Sequence, residues 1–299
     1  MTVTTVQSEG LRIHIVMPPP DLAPYVSLIY RTDVAAGHVF EDWVPPEWAN
    51  LRAGISPEYL AGPATGAMSP VPSMILSGPT SRAVRLRIGE GRYWGVGLLP
   101  LGFAQFLRVP ASDHADHHRA IAEVPAAAPL RPLLEQLLAD GLSVADGADV
   151  IARELRALTV NPLPERESIA ATHDAVLSDL SRSVASLAQE LGVSTRTLER
   201  FCRRTFGFNP QLLLRRQRFL RSLASFMIDP TMKWIDTIDS HYHDHAHFLR
   251  DFRSFMGMTP SEYGALPHPI SMLAVQARRA ARVAAMQVLH QPGPIASAR

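Results

Sequence analysis

A shift of 50 residues lays one part of this chain over another. Leu198 then falls on Phe248, Arg200 on Arg250, Arg203 on Arg253, Gly207 on Gly257 and Pro210 on Pro260, with Ser194 over Asp244. Each copy reads as a helix opened by a side chain that can cap free N–H groups and closed by a glycine that tolerates positive φ. A proline suited to the first turn of the next helix follows three residues later. A repeat of this period means that one supersecondary unit is used twice, which restricts the C-terminal third of the chain to paired helical units.

The first copy is the better defined. In SVASLAQELGVSTRTLERFCRRTF, residues Ser183–Phe206, the apolar Val184, Leu187, Ala188 and Leu191 recur at helical spacing. Gly192 follows where the chain leaves that helix, Val193 is the apolar turn residue, and Ser194 stands as N-cap of a second helix burying Leu198, Phe201, Cys202 and Phe206. Helix, short glycine turn and second helix make a helix-turn-helix unit, whose second helix can enter a major groove ~12 Å wide. Its outward face should carry Thr195, Arg196, Thr197, Glu199, Arg200 and Arg203. Arginine can pair bidentately with guanine, and glutamate can accept from the cytosine amino group. The second copy predicts an equivalent unit, with a connecting helix from Pro210 to about Ile228.

The net charge of +1 conceals a strong local asymmetry. Lys233 is the single lysine among 29 basic residues, and eight arginines from Arg196 to Arg221 face only Glu199. Such a cluster is the sequence footprint of a polyanion-binding surface, the alternative being a merely solvated basic face. Arg204, Arg215, Arg216 and Arg218, on helix ends or the connecting helix, are expected to neutralise phosphates, as are Arg203 and Arg253 with Thr195 and Thr197.

The remaining chain suits a second domain, and the fold class expected is multidomain α+β. Residues 1–124, broken by proline and glycine into short apolar runs such as Tyr25–Tyr30, Met74–Leu76, Ala83–Ile88 and Tyr93–Leu99, predict a mainly β, barrel-like effector domain. Residues 125–164 predict a helical pair over Leu130–Asp140 and Ala148–Leu158, packed on the β domain or forming a dimer seam, and then a linker at Asn161–Pro164. Residues 165–266 form the all-α double unit, and 267–299 a partly helical tail, docked on the protein or trailing over DNA. No run approaches the ~20 apolar residues of a membrane span, and MTVTTVQSEG lacks a basic-then-apolar leader. With Cys202 as the single cysteine, a cytoplasmic protein without membrane contact is expected.

Several groups invite sharper chemistry. His241, His243, His245 and His247 with Asp244 suggest a metal cluster, His243 and His247 being one helical turn apart, but no third ligand is evident nearby. Asp113, His114, Asp116, His117 and His118 read equally as an exposed polar loop. Cys202 could sense redox state among its arginines or simply fill the core. Tyr25, Tyr30, Trp43, Trp48, Tyr93 and Trp94 could line a pocket, a core or a dimer surface. The β region has no Gly-x-Ser-x-Gly, phosphate loop or cupin-like histidine set, so the expectation is no enzyme, no cofactor and no metal. A ligand- or metal-dependent sensor or enzyme domain tethered to a partly degenerate DNA-binding unit is the alternative.

The stretches SLAQELGVSTRTLERFCRRTFGFNP, RRQRFLRSLASFM and YHDHAHFLRDFRSFMGMTPSEY together resemble the AraC/XylS-type transcription regulators over about a hundred residues. That resemblance implies sequence-specific regulation on double-stranded DNA, with base contacts from Arg196, Glu199 and Arg200 in the first unit and from His245, Ala246 and Arg250 in the second. RNA polymerase, a second copy of the chain and a small-molecule effector of unspecified chemistry are compatible partners. PPPDLAPYVSLIY and GVGLLPLGFAQFL resemble an accessory domain on one branch of these regulators and imply no defined ligand. The second unit departs from the pattern: Thr237 replaces a usual small residue and His241 the usual turn glycine, which predicts looser packing and makes the first unit the main reader.

Overall fold

The alternating N-terminal segments fold as strands β1 (Val3–Ser8), β2 (Leu11–Val16), β3 (Val26–Val34), β4 (Phe40–Val44), β5 (Asn50–Gly54), β6 (Leu60–Pro63), β7 (Ser69–Pro70), β8 (Met74–Ser77), β9 (Val84–Ile88), β10 (Gly91–Leu98) and β11 (His118–Ala120). The structure is a computed structural model and describes residues 1–179, 182–232, 234–240, 242 and 244–295. Strands form two sheets, ordered β1-β2-β3-β10-β5-β8-β11 and β4-β9-β6-β7. Every pairing is antiparallel. The mainly β expectation holds, as two sheets rather than one closed ladder. Pro45 and Pro46 follow β4 at its exit, where a missing N–H ends strand pairing.

Helix α1 (Pro100–Leu107) leads through short 3₁₀ turns to α2 (Arg131–Leu137) and α3 (Val144–Ala157). Ser143 caps α3 by accepting from the Asp146 N–H. Both helices direct their apolar faces into the chain's own core, where Leu133, Leu134, Leu137, Ile151 and Leu155 join Leu51, Trp94 and Val96. Gly147 is required by this packing, since a Cβ there would lie 2.3 Å from Cη2 of Trp94. The Asn161–Pro164 linker is pinned by one buried side chain. Gln105 donates to the carbonyls of Leu158 (2.8 Å) and Asn161 (2.9 Å) and accepts from the Leu163 N–H (3.1 Å).

The all-α part comprises α4 (Arg166–Ser178), α5 (Val184–Glu190), α6 (Thr195–Phe206), α7 (Pro210–Ile228), α8 (Trp234–Thr237), α9 (His245–Met256) and α10 (Pro260–Gly264). Its second half is packed on aromatic rings. Phe252 meets Phe219 edge-on at 5.4 Å and Trp234 at 5.0 Å, and Phe226 stacks on Trp234 at 3.9 Å. The looser packing predicted from Thr237 is not found: its side chain is buried and its hydroxyl donates to the Trp234 carbonyl at 2.8 Å. His241 lies outside the described residues.

The tail does not trail away. Helix α11 (Pro269–Ala280) and a 3₁₀ turn at Gln287–Leu289 fold back onto the β domain. Buried Asp42 holds the start of α11, accepting from the Ser271 N–H at 2.6 Å with His268 Nδ1 at 3.2 Å. Gln287 fixes the far end, accepting from Asn50 at 3.2 Å and donating to the Ala49 carbonyl at 3.1 Å.

Two stability predictions follow from this packing. Phe252→Ala should cost about 3–5 kcal/mol, read as a lowered denaturation midpoint, because it empties the centre of the aromatic cluster. The second concerns buried His173, whose pKa is pushed down to about 3 by desolvation, with His290 and Arg216 adding repulsion. The unfolded chain binds that proton near pH 6.5 while the fold refuses it, so stability is full above that pH and falls towards pH 3. Between pH 7 and 5 the wild type should lose on the order of 1–2 kcal/mol more than His173→Asn in paired urea titrations.

Candidate nucleic-acid interface

In the first unit, Gly192 takes a φ of 66° between α5 and α6. Ser194 caps α6 by accepting from the Thr197 N–H at 3.1 Å. One face of α6 buries Leu198, Cys202, Thr205 and Phe206, and Gly207 ends it at φ 86°. The remaining face presents Thr195, Arg196, Thr197, Glu199, Arg200, Arg203 and Arg204 to solvent. Arg204 is tied to Glu165 at 3.1 Å, whereas Arg196, Arg200 and Arg203 carry no ion pair among the described residues.

The second unit repeats this geometry. Asp244 accepts from the His247 N–H at 2.6 Å, Gly257 ends α9 at φ 72°, and Phe248, Phe252 and Met256 take the inward positions of Leu198, Cys202 and Phe206. His245, Ala246, Arg250 and Arg253 are exposed. Asp251, at the position of Phe201, is buried and receives Arg215 Nη2 at 2.5 Å and the Tyr242 hydroxyl at 3.2 Å.

This contact separates the arginine cluster into two sets. The α6 arginines face outward, while those of α7 turn inward and brace the fold. Arg215 holds α9 through Asp251. Arg221 donates to the Leu177 carbonyl of α4 at 2.8 Å. Arg218 is half-buried, with its Nε out of solvent. Arg216 is fully buried, its guanidinium 4.0 Å above the ring of Trp48 and donating to the Thr80 carbonyl at 2.9 Å. Desolvation pushes its pKa down to about 9. The expectation that Arg216 meets a phosphate is therefore corrected, because the side chain has no path to solvent. The signal that could have shown this is helical spacing: Arg216 stands three residues after Leu213 and three, four and seven before Phe219, Leu220 and Leu223, so it shares the apolar face of α7.

Several other candidate groups take structural roles. Among the described residues no group of three metal-ligating side chains occurs, and His243 lies outside them. Asp116 accepts from the Ser81 N–H (2.5 Å) and hydroxyl (2.8 Å), and His118 pairs with Ser77 at 2.9 Å, so the polar loop ties strands together. Cys202 is buried and its thiol is pushed up to about 12 by desolvation, which removes the reactive thiolate. The aromatic set divides: Tyr30, Tyr93 and Trp94 line a cavity, Trp48 seats Arg216, Tyr25 packs on Phe106, and Trp43 meets His268 edge-on.

Two exposed helices, each opened by a side-chain cap, ended by a glycine at positive φ and bearing arginines without an ion pair among the described residues, define a DNA-binding transcription regulator. Residues 187–265 match the family described as a helix-turn-helix domain, and residues 14–120 match a domain of unknown function (DUF6597). The C-terminal domain is of the AraC type. No curated protein matches the chain. Among solved structures it is similar to ToxT of Vibrio cholerae O395, at 14% identity over 86% of this chain and 98% of that one, with a TM-score of 0.41. ToxT bound to (E)-4-(8-methylnaphthalen-1-yl)but-3-enoic acid is 14% identical over 82% and 97%, TM-score 0.42. Unsaturated fatty acid bound ToxT of Vibrio cholerae strain SCE256 is 13% identical over 76% and 93%, TM-score 0.39.

Burial of Arg216 changes what its removal should do. Arg216→Ala should lower stability by about 1–3 kcal/mol. The slope of log affinity against log salt should stay at the wild-type value, since no phosphate contact is lost. Thermal melts and salt titrations by fluorescence anisotropy check the two halves separately.

Proposed function

We propose that this chain is a sequence-specific transcription regulator whose α6 and α9 enter major-groove segments of one duplex site, with α6 the main reader. The observation that carries this is the exposed row Arg196, Glu199 and Arg200 on a helix capped at both ends. Unpaired guanidinium groups need no partner broken before they meet guanine, and Glu199 supplies the acceptor for cytosine. Exposed His245, Ala246 and Arg250 on α9 form the second, weaker reading surface. Helix α7 has 19 residues and so spans roughly 28 Å, on the order of the ~34 Å turn of B-DNA that separates successive groove segments. Thr195, Thr197, Arg203 and Arg253 are the backbone contacts, and Arg204 joins them on releasing Glu165.

The division of labour is a β effector domain over 1–124, a helical pair and linker over 125–164, the double unit over 165–266 and a tail over 267–299. The chain acts by binding rather than turnover, and a small molecule in the β domain modulates it, RNA polymerase and a second copy being partners on DNA. No helix among the described residues is long and apolar enough to cross a membrane. A cytoplasmic site of action fits a ligand that is chromosomal DNA.

Arg200→Ala should cost about 1–3 kcal/mol on the correct site and relax base preference at the position it reads. Genome-wide footprinting supplies the site and anisotropy measures the loss. Absence of salt-dependent binding to any footprinted sequence would overturn the reading.

A further inference from the structure

The two sheets face each other across a cavity of about 160 Å³, and its roof is the C-terminal segment beyond both matched domains. Ile13, Ile15 and Leu28 of one sheet and Leu86 and Ile88 of the other make the walls apolar. Met227 of α7 and Met286 of the tail also border it, so β domain, connecting helix and tail meet at one space. A cavity of this size, lined by aliphatic and aromatic groups, holds a body of about one benzene ring.

Its charges do not balance. Glu47 pairs with Arg52, whose other donors meet the Ser77 hydroxyl at 2.6 Å and the Tyr30 hydroxyl at 3.1 Å. Each of the three Arg52 nitrogens thereby has a partner. Half-buried Arg278 reaches in from α11 as a second cation, with its Nη1 out of solvent and without a hydrogen-bond partner among the described residues. Glu47 is the carboxylate whose charge it also feels, but that group is already committed to Arg52. His290 adds no compensating negative charge. Burial pushes the Arg278 pKa down to about 10, which still leaves it cationic at neutral pH. A guanidinium N–H held out of solvent without an acceptor costs stability, and a carboxylate is the acceptor that meets both the donor and the charge.

We infer that this cavity binds a compact monocarboxylate with an apolar body about one ring in size, its carboxylate paired with Arg278. Two negative charges would exceed the single surplus cation, and a neutral ligand could at most accept a hydrogen bond from Arg278 while leaving its charge uncompensated. The inference deepens the effector reading above and rests on it for its consequence, but not on DNA binding. Because α11 is fixed at Asp42 and the tail at Gln287, a ligand gripping Arg278 ties the roof to the walls and to Met227 of α7.

The test is calorimetric titration of the full chain, without DNA, using phenylacetate and its neutral isostere phenylacetamide. Saturable 1:1 binding of phenylacetate, at least tenfold tighter than the amide, is expected. Arg278→Ala should abolish that preference by weakening phenylacetate far more than the amide, while Arg278→Lys should retain part of it. Equal affinity for the two probes, no binding of either, or undiminished phenylacetate binding by a folded Arg278→Ala would overturn the inference. The wild-type comparison decides the question even if the variant does not fold, and intact footprints beside failed titrations would leave the DNA reading standing.

Discussion

The guanidinium of Arg216 lying 4.0 Å above Trp48 is the contact on which the arrangement of the two halves depends. It carries a charge from the connecting helix of the DNA-binding part into the wall of the β domain, and the Thr80 carbonyl is a neutral acceptor. A buried cation without a carboxylate is costly, so the site persists only because the ring face and the carbonyl replace part of its hydration. Around it one hydrophobic cluster runs without interruption from Trp43, Trp48 and Leu99 to Leu198, Phe206, Phe219 and Phe252. The recognition helices are therefore not carried on a free domain. Gly207 and Gly257, the matched helix ends, both rest on loops of the β domain, near Pro79 and Ala64 respectively.

That shared core sets the geometry available to DNA. In α7, Arg215 orders α9 through Asp251, Arg221 holds α4 and Arg216 meets the β domain, so three inward arginines fix the mutual orientation of elements whose other arginines face outward. The two roles need different environments. An inward guanidinium gains from low dielectric and fixed acceptors, whereas a reading guanidinium must stay hydrated and unpaired until a base edge replaces its water. One dense arginine run supplies both because the helix boundary at Phe206 to Pro210 changes which direction the residues face.

Much of this was legible beforehand, for identifiable reasons. The 50-residue repeat located both recognition helices, since N-cap, buried position, glycine end and proline start are all local signals, and Ser194, Asp244, Gly207 and Gly257 take those roles. The strands around Tyr25–Tyr30 and Tyr93–Leu99 were visible in their alternation. The inward α7 arginines were not, because counting charge ignores helix face, and their acceptors Asp251, Thr80 and Leu177 are distant in sequence. Nor was the roof of the cavity. Nothing local in Pro269–Ala280 names Asp42 as its anchor, a contact closed across more than two hundred residues.

The same long-range closure explains how the β domain could act on DNA reading without touching DNA. Binding energy shifts a regulator only if the ligand contacts differ between two arrangements of the chain. The proposed ligand would touch more than the β domain, since the cavity border includes Met227 from the helix connecting the two helix-turn-helix units and Arg278 from the segment that follows them. Asp42 and Gln287 hold the roof at its two ends, and the cationic side chain stands between them. A ligand that engaged only the sheet walls would stabilise the β domain alone. Under the proposal, one that also engages Arg278 would tie roof, walls and α7 together, and such a contact would couple occupancy to the placement of α6 and α9.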